Sequence, residues 1–142
     1  MVEGRRIPVS LSHAGGWAAA AVHPGTRVGV DIEPAREIPP PFARYFLSPG
    51  ESSALAGWPD RPTSLLAAWT IKEAVLKATG RGLSVPPSTA RIRSIGTDGG
   101  VAVTVERSEV SAACWQEDGA IVAAACAGTV DPPVFSISRG TI

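Results

Sequence analysis

The segment SLLAAWTIKEAVLKATG, Ser64–Gly80, carries the strongest helix signal in the chain and so decides its fold. One stripe with helical spacing runs through Leu66, Trp69, Glu73 and Leu76. Gly80 is a typical stop signal, and we predict a helix over Thr63–Thr79. The other elements of a small domain must pack around this principal helix.

Short segments on either side of the helix have the composition or alternation of β-strands: Arg6–His13, Trp17–Val22, Val28–Glu33, Arg91–Ile95, Val101–Glu106, Ser111–Gln116 and Ile121–Ala127. Turn residues predict hairpins across His23–Thr26, Thr97–Gly100 and Glu117–Gly119. The S-x-x-E pattern of Ser48–Glu51 predicts a short helix that ends near Ala56. The expected fold class is α+β, a mostly antiparallel sheet packed against one principal helix. We expect one domain over residues 1–128 and a loose C-terminal tail over 129–142.

Composition sets further bounds. The 142 residues are enough for one domain and too few for two full-sized ones. The formal net charge of +0 argues neither for a nucleic-acid binder nor for a membrane-surface protein, and we expect neither partner. No apolar run reaches the roughly 18 to 20 residues of a membrane span, and the start lacks the apolar region of a signal peptide. Cys114 and Cys126 lie in apolar strand-like runs, which favours reduced core cysteines over a disulfide. We expect a cytoplasmic protein.

The strand VGVDIEP, Val28–Pro34, carries two carboxylates two residues apart. Because alternate side chains of a strand share a face, Gly29, Asp31 and Glu33 lie opposite a face of valine and isoleucine. The glycine would leave room for a ligand, and paired carboxylates suit a hard cation such as Mg²⁺. The alternative is a solvated strand face on which the two acids need no partner. On the strand alone, this second interpretation is favoured.

Glu73 reverses that preference because it takes a position in the helix stripe where an apolar residue is expected. A buried, unpaired carboxylate is costly and tends to become neutral, so it needs a metal or a cation. An ordinary helix-surface ion pair with Lys77, worth a few tenths of a kcal/mol, is the alternative. That ion pair leaves the interrupted stripe unexplained. The favoured hypothesis is a metal–phosphate site that contains Asp31, Glu33, Glu73, Lys72 and Lys77.

Ser12 and His13 end the first predicted strand, and Arg5 and Arg6 precede it. All four can bind an anion if that end of the strand faces the carboxylates. A single histidine is more often structural than functional, so this signal is weak when taken alone.

In their order along the chain, the blocks S-H-x-G-x-W, V-G-V-D-I-E and W-T-I-K-E-A-V-L-K-A-T-G-R-G-L-S resemble the 4′-phosphopantetheinyl transferases. The last two contain the family signatures G-[IV]-D-[IVL]-E and W-[ST]-x-K-E-[AS]-x-x-K. The resemblance runs from about Pro8 to Gly128, and the Ser-His block is similar to the surfactin-type subfamily. Members of that subfamily usually contain two similar halves, of which this chain resembles the second.

The resemblance implies a transferase that moves the phosphopantetheine arm of coenzyme A to a serine of an acyl or peptidyl carrier protein and releases adenosine 3′,5′-bisphosphate. It implies Mg²⁺ ligands at Asp31, Glu73 and, directly or through water, Glu33. Glu73, or a water held near it, is implied as the base for the acceptor serine, and Lys77 as the cation that stabilises the pyrophosphate. The residues expected to bind the phosphates of coenzyme A are Ser12, His13, Lys72, Lys77 and Arg6.

This sequence departs from the family pattern at Ala14, which replaces the second serine of the common S-H-S block, and in its missing first half. In two-half relatives that half supplies part of the coenzyme A pocket. The resemblance therefore implies a homo-oligomer, a trimer or a dimer, with its site at the interface. One alternative is a non-catalytic homologue that binds coenzyme A or a carrier, or one subunit of a split transferase. The other is a small α+β domain whose carboxylates are only surface charge.

Overall fold

A computed structural model describes residues 7–128 and 134–139 of the chain. Its strands are β1 (Val9–Ala14), β2 (Trp17–Val22), β3 (Val28–Pro34), β4 (Ala90–Ile95), β5 (Gly100–Val105), β6 (Ser108–Glu117), β7 (Ala120–Ala127) and β8 (Val134–Arg139). Its helices are α1 (Pro40–Ala43), α2 (Ser52–Leu55) and α3 (Ser64–Ala78). Short 3₁₀ turns lie at Arg61–Thr63, Gly82–Ser84 and Pro87–Thr89.

The strands form two antiparallel sheets, one with the order β1-β2-β8 and the other with the order β3-β7-β6-β5-β4. The α+β class with one principal helix is confirmed. The two predicted C-terminal hairpins are also confirmed, because β4 pairs with β5 and β6 pairs with β7. These hairpins were readable from the sequence because each strand pair flanks a short glycine-containing turn.

The predicted hairpin between β2 and β3 is wrong, because these strands belong to different sheets. β2 pairs instead with β1 across Gly15 and Gly16, whose φ angles are 54° and 82°. Two consecutive residues with positive φ form the tight turn whose twist matches a hairpin, and glycine adopts that conformation without strain. The His23–Thr26 segment carries the chain from one sheet to the other. There the ring Nδ1 of His23 accepts hydrogen bonds from the backbone N–H groups of Gly25 and Thr26.

The expectation of a loose C-terminal tail is wrong for Val134–Arg139, which form β8 and pair with β2. β2 therefore has hydrogen-bonded neighbours on both sides. The pairing satisfies backbone groups that an edge strand would leave open. The rest of the predicted tail lies outside the described residues.

β3 is enclosed on both faces. Val28, Val30 and Ile32 face β2 and form one apolar core with Trp17 and Ala21. The opposite face packs against α3, whose buried side chains contribute to a second and larger core. The layers are thus the three-stranded sheet, the five-stranded sheet and α3.

Gly29 permits the closest contact between β3 and α3. A Cβ at this position would overlap the Ala74 carbonyl oxygen and come within 2.6 Å of the Ala78 amide nitrogen. The sequence-based expectation that this glycine leaves room for a ligand is therefore wrong, because helix backbone fills the space. The contact holds α3 directly over the carboxylate-bearing face of β3.

The principal helix closely matches its prediction and is terminated just before Gly80, whose φ is 77°. Hydrogen bonds from the Arg81 N–H to the Leu76 carbonyl and from the Gly80 N–H to the Lys77 carbonyl complete a Schellman cap. Both cysteines are buried, and they form no disulfide in the described part of the chain, as predicted. Among the described residues, no helix has the length and apolar character needed to cross a membrane.

Candidate active site

The candidate site lies between β3 and α3 and centres on Asp31 and Glu73. Asp31 occupies the middle of β3 on the face covered by α3, and the residue is only 6% exposed. Its Oδ1 accepts a hydrogen bond of 3.0 Å from the Ser12 hydroxyl and lies 3.5 Å from the Lys77 ammonium. Its Oδ2 is buried and has no hydrogen-bond partner.

Glu73 supplies a second oxygen of the same kind. The residue is partly buried on α3, and its Oε1 is buried without a hydrogen-bond partner. Buried polar atoms in folded proteins are nearly always paired, so an unpaired carboxylate oxygen requires an explanation. A bound cation is one, and hard divalent cations bind to carboxylate oxygens. Asp31 Oδ2 and Glu73 Oε1 therefore fit a divalent cation.

Electrostatics support this interpretation. Burial raises the pKa of Asp31 to about 6, Lys77 and the Ser12 hydrogen bond lower it, and Glu33 and Glu73 raise it. Burial also raises the pKa of Glu73, with Lys77 acting against the shift and Glu33 adding to it. The two carboxyl groups are thus buried with too little positive charge to balance them.

Glu33 lies two residues after Asp31 on β3, and its charge acts on both Asp31 and Glu73. It is partly buried at the end of β3, and its Oε2 accepts a hydrogen bond of 3.2 Å from the Arg36 guanidinium. Across the described part of the chain, no group of three or more His, Cys, Asp or Glu side chains converges on a metal position. The three predicted metal ligands therefore form no ready-made cluster in the described residues, although their charges act on one another.

Lys77 bridges the helix and the strand. Its ammonium donates a hydrogen bond of 2.9 Å to the Val30 carbonyl and lies beside Asp31, with about a third of its side chain exposed. An ammonium has three donors, so a donor remains for an anion that enters from solvent. The helix-surface pairing considered for Lys77 thus understates its role, since the residue reaches across to β3.

Ser12 and His13 separate, although the sequence presents them as one block. Ser12 faces β3 and Asp31, whereas His13 is exposed on the other face of β1. Adjacent residues of a strand point to opposite faces, so one rigid strand cannot direct both at the same group. Arg6 lies outside the described residues.

The prediction that Lys72 binds phosphate is wrong. Its side chain is 0% exposed, and its ammonium contacts Glu51 Oε1 at 3.0 Å, Glu51 Oε2 at 2.9 Å and the Ala90 carbonyl. Burial lowers the pKa of Lys72, and the Glu51 carboxylate raises it again. All three donors are engaged inside the protein, so none is free for a ligand.

Glu51 is the residue that sequence reasoning valued too little. Its carboxylate accepts hydrogen bonds from the Ser48 N–H at 2.5 Å and the Ile92 N–H at 2.6 Å, in addition to Lys72. The first bond is the one that the capping-box pattern predicts. The others tie this corner to α3 and β4. The sequence signal that was available is the position of Lys72, which lies on the same helix face as buried Ala68 and Val75 and therefore needs a buried partner.

An aromatic groove of about 320 Å³ adjoins the site. It is lined by Ile38, Pro39, Phe42, Tyr45, Phe46 and Trp69, with Arg36 and Glu37 at its rim. Trp69 lies one helical turn before Glu73, and Arg36 is the residue that binds Glu33. Phe42 and Tyr45 are 56% and 68% exposed, so an apolar surface stands open next to the carboxylates.

Comparison with known proteins agrees with the sequence signatures. A sequence model of the 4′-phosphopantetheinyl transferase superfamily matches residues 27–126. A 4′-phosphopantetheinyl transferase from Bacillus subtilis is 35% identical over 96 residues, which cover 66% of this chain and 42% of that protein. The 4′-phosphopantetheinyl transferase Sfp of Bacillus subtilis (strain 168) is 31% identical over 130 residues, which cover 87% of this chain and 56% of that protein. This chain thus spans about half the length of these relatives.

Solved structures show the same fold. The holo-[acyl-carrier-protein] synthase of Helicobacter pylori, in complex with coenzyme A, superposes with a TM-score of 0.57 and 20% identity, and the match covers 71% of this chain and 99% of that one. The corresponding synthase of Thermotoga maritima has a TM-score of 0.55 and 22% identity, and the match covers 69% of this chain and 60% of that one.

Proposed function

The chain belongs to the 4′-phosphopantetheinyl transferase superfamily, and we propose that it transfers the 4′-phosphopantetheine group of coenzyme A to a serine of an acyl or peptidyl carrier protein. The observation that carries this proposal is the pair of buried, unpartnered oxygens, Asp31 Oδ2 and Glu73 Oε1, on the strand and helix that bear the family signatures. A fold that merely retained its shape would gain nothing from burying two unpaired carboxylate oxygens.

We propose that Asp31 and Glu73 hold Mg²⁺, with Glu33 contributing through water. When bound, Mg²⁺ supplies positive charge that stabilises the pyrophosphate oxygens of coenzyme A. Mg²⁺ usually keeps several waters and takes only one or two protein carboxylates, which agrees with a two-residue site. Arg36 keeps Glu33 in place at the edge of the site.

In the proposed reaction, the serine oxygen of the carrier forms a bond to the phosphorus that bears the pantetheine. The bond from that phosphorus to the bridging oxygen breaks, and adenosine 3′,5′-bisphosphate leaves. Glu73, or a water held near it, takes the proton of the serine. Lys77, already beside Asp31 and partly exposed, balances the charge of the leaving group. We propose that His13, which is exposed, contacts a phosphate of coenzyme A.

The aromatic groove supports a protein as the second substrate. Exposed Phe42 and Tyr45 line this groove together with Trp69, which precedes Glu73 by one helical turn, and a carrier that presents its serine would rest there. Aromatic side chains are enriched at protein–protein interfaces, which agrees with a carrier protein as the partner of this groove.

We propose that a second copy of the chain completes the coenzyme A pocket. Ile7, Val9 and Leu11 are 57%, 56% and 69% exposed beside β2, and His13 shares this outer face of β1. An uncovered apolar sheet face indicates an interaction surface. The chain also spans about half the length of its relatives. Two buried cysteines without a disulfide between them fit the reducing environment of the cytoplasm, where we propose that the protein acts.

The second candidate is one subunit of a split transferase, or a homologue that only binds coenzyme A or a carrier. The length of the match, 42% of one relative and 56% of another, favours it. The two candidates differ in whether this chain alone transfers the group.

The test combines two measurements on the purified chain. Incubation with coenzyme A, Mg²⁺ and an apo-carrier protein should add the mass of phosphopantetheine to the carrier, as seen by intact-mass spectrometry. If no mass is added to the carrier, calorimetry with coenzyme A, with and without Mg²⁺, distinguishes the two remaining explanations. Tight Mg²⁺-dependent binding without transfer would favour the binding homologue, and no binding would favour the split subunit.

A further inference from the structure

The open edge of β3 is closed by side chains. β3 stands at the end of the five-stranded sheet and has a strand neighbour, β7, on one side. On the other side, the Ser10 hydroxyl accepts a hydrogen bond of 3.0 Å from the Val30 N–H, and the Ser12 hydroxyl accepts one of 3.2 Å from the Ile32 N–H. Lys77 binds the Val30 carbonyl. An unpaired strand edge is thus satisfied by two serines of β1 and one lysine of α3.

Ser10 and Ser12 are alike in position and differ in one contact. Both lie on the face of β1 that meets β3, and each accepts a hydrogen bond from a backbone N–H group of β3. The two donors, Val30 and Ile32, are two residues apart. Only Ser12 also donates to the Asp31 carboxylate, at 3.0 Å to Oδ1. A serine hydroxyl has a single hydrogen to donate. While Ser12 donates to Asp31, it therefore has no hydrogen left for a phosphate oxygen.

We propose that Ser12 is a positioning residue that fixes the Asp31 carboxylate, in place of the phosphate contact that the family resemblance implies. Its hydroxyl occupies Oδ1 and leaves Oδ2 as the free oxygen. The proposal deepens the proposed function and rests on it, because Asp31 matters as a ligand only if the site holds a metal.

The chain of contacts fixes Asp31 from both ends. The Ile32 N–H holds the Ser12 oxygen in the plane of the strand edge, and the Ser12 hydrogen then points at the residue directly before Ile32. Lys77 reaches the same Oδ1 from the helix side at 3.5 Å. Loss of the hydroxyl leaves this longer contact to fix the carboxylate. Groups that orient a metal ligand typically change metal affinity by roughly 10-fold to 100-fold when they are removed.

The experiment compares Ser12→Ala, Ser12→Thr and Ser10→Ala in the full chain. Ser12→Thr retains the hydroxyl and is the rescue variant. Ser10→Ala removes an equivalent contact to the β3 backbone without touching Asp31, so it is the matched control. Mn²⁺ binding, with and without coenzyme A, is measured by electron paramagnetic resonance. The Hα–Hβ couplings of Asp31, measured by NMR in metal-free protein, report whether its side chain keeps one rotamer.

We expect Ser12→Ala to weaken Mn²⁺ binding by about 10-fold or more and to average the Asp31 couplings. Ser12→Thr and Ser10→Ala should both retain the wild-type affinity and couplings. An equal loss in Ser10→Ala would overturn the proposal, because the effect would then arise from the sheet contact. An unchanged Mn²⁺ affinity in Ser12→Ala with a raised KM for coenzyme A would restore the phosphate role.

Failure of the proposed function has a different signature. If the wild-type chain binds no Mn²⁺, the metal site is wrong, and the couplings still decide whether Ser12 fixes Asp31. Couplings that stay fixed in Ser12→Ala would contradict the positioning role whatever the metal does.

Discussion

We expect the Asp31→Asn substitution to remove most of the pH dependence of stability that the metal-free protein shows between about pH 4 and pH 7. Burial raises the pKa of the Asp31 carboxyl in the folded state from 3.8 to about 6. The folded protein therefore binds this proton more tightly than the unfolded chain does. The stability contributed by the proton is fully present below the unfolded pKa and is lost as the pH rises through the folded pKa.

The size of the effect follows from the shift. One pKa unit corresponds to about 1.4 kcal/mol, so a rise of about two units amounts to about 3 kcal/mol in the free energy of unfolding. The raised pKa of Glu73 adds a contribution of the same sign to the wild-type protein. Asn cannot ionise and can still accept the Ser12 hydrogen bond. At pH 7.5 the variant should therefore be more stable than the wild type by up to about 3 kcal/mol, and near pH 4 the two should agree.

The assay is urea unfolding followed by circular dichroism, with a chelator present, at pH 4 and pH 7.5. Glu37→Gln is the control, since Glu37 is an exposed carboxylate in the segment after β3. Addition of Mg²⁺ at pH 7.5 should stabilise the wild type and leave Asp31→Asn unchanged. Equal pH dependence in the wild type and in Asp31→Asn would contradict this prediction, because it would show that the Asp31 carboxyl has the same pKa in the folded and unfolded states.

The remaining predictions concern the supports of the site. Lys72→Met should lower the free energy of unfolding in urea by about 3 to 5 kcal/mol, because it leaves the Glu51 carboxylate buried and without its ion-pair partner. The double variant with Glu51→Gln should recover part of this loss. Additive losses in the double variant would contradict a coupled pair. Gly29→Ala should prevent stable packing of α3 on β3, because the new Cβ would overlap the helix backbone. In the control Gly25→Ala, the new Cβ meets only the His23 ring, at 3.5 Å, and thermal unfolding should be unchanged. Equal melting curves for the two variants would show that the helix is not held this closely. Leu11→Lys should reduce the solution mass measured by light scattering to that of one chain, because the side chain is 69% exposed on the proposed interface; an unchanged oligomer would place the interface elsewhere.

The sequence predicts the elements whose signals are local. The principal helix follows from the spacing of Leu66 and Leu76 and from the stop at Gly80, and the structure has both. The pairing of β2 was mispredicted because the turn residues of His23–Thr26 favoured a hairpin there, and the Gly15-Gly16 pair was not recognised as a turn. The positive φ angles at Gly15 and Gly16, together with pairing to the distant β8, decide it. Long-range pairing has no local signature.

The site shows the same division. Asp31 and Glu73 were accessible to sequence reasoning because a carboxylate inside an apolar pattern requires a partner. Lys72 was misassigned to the site because it is adjacent to Glu73 in sequence. Consecutive residues of a helix point about 100° apart, so Lys72 faces a different direction. Its true partner, Glu51, lies 21 residues earlier, and no pattern connects the two. The double role of Ser12 also depends on a contact across 19 residues.

The most direct test of the central claim is the dependence of carrier modification on Mg²⁺, measured by intact-mass spectrometry for the wild type and for Asp31→Asn and Glu73→Gln. If Asp31 and Glu73 hold the metal, the wild type should add phosphopantetheine to an apo-carrier in a saturable, Mg²⁺-dependent manner. Both variants should then remain folded and lose the activity. Undiminished, Mg²⁺-dependent transfer by both variants would contradict the account, because the metal would then bind elsewhere.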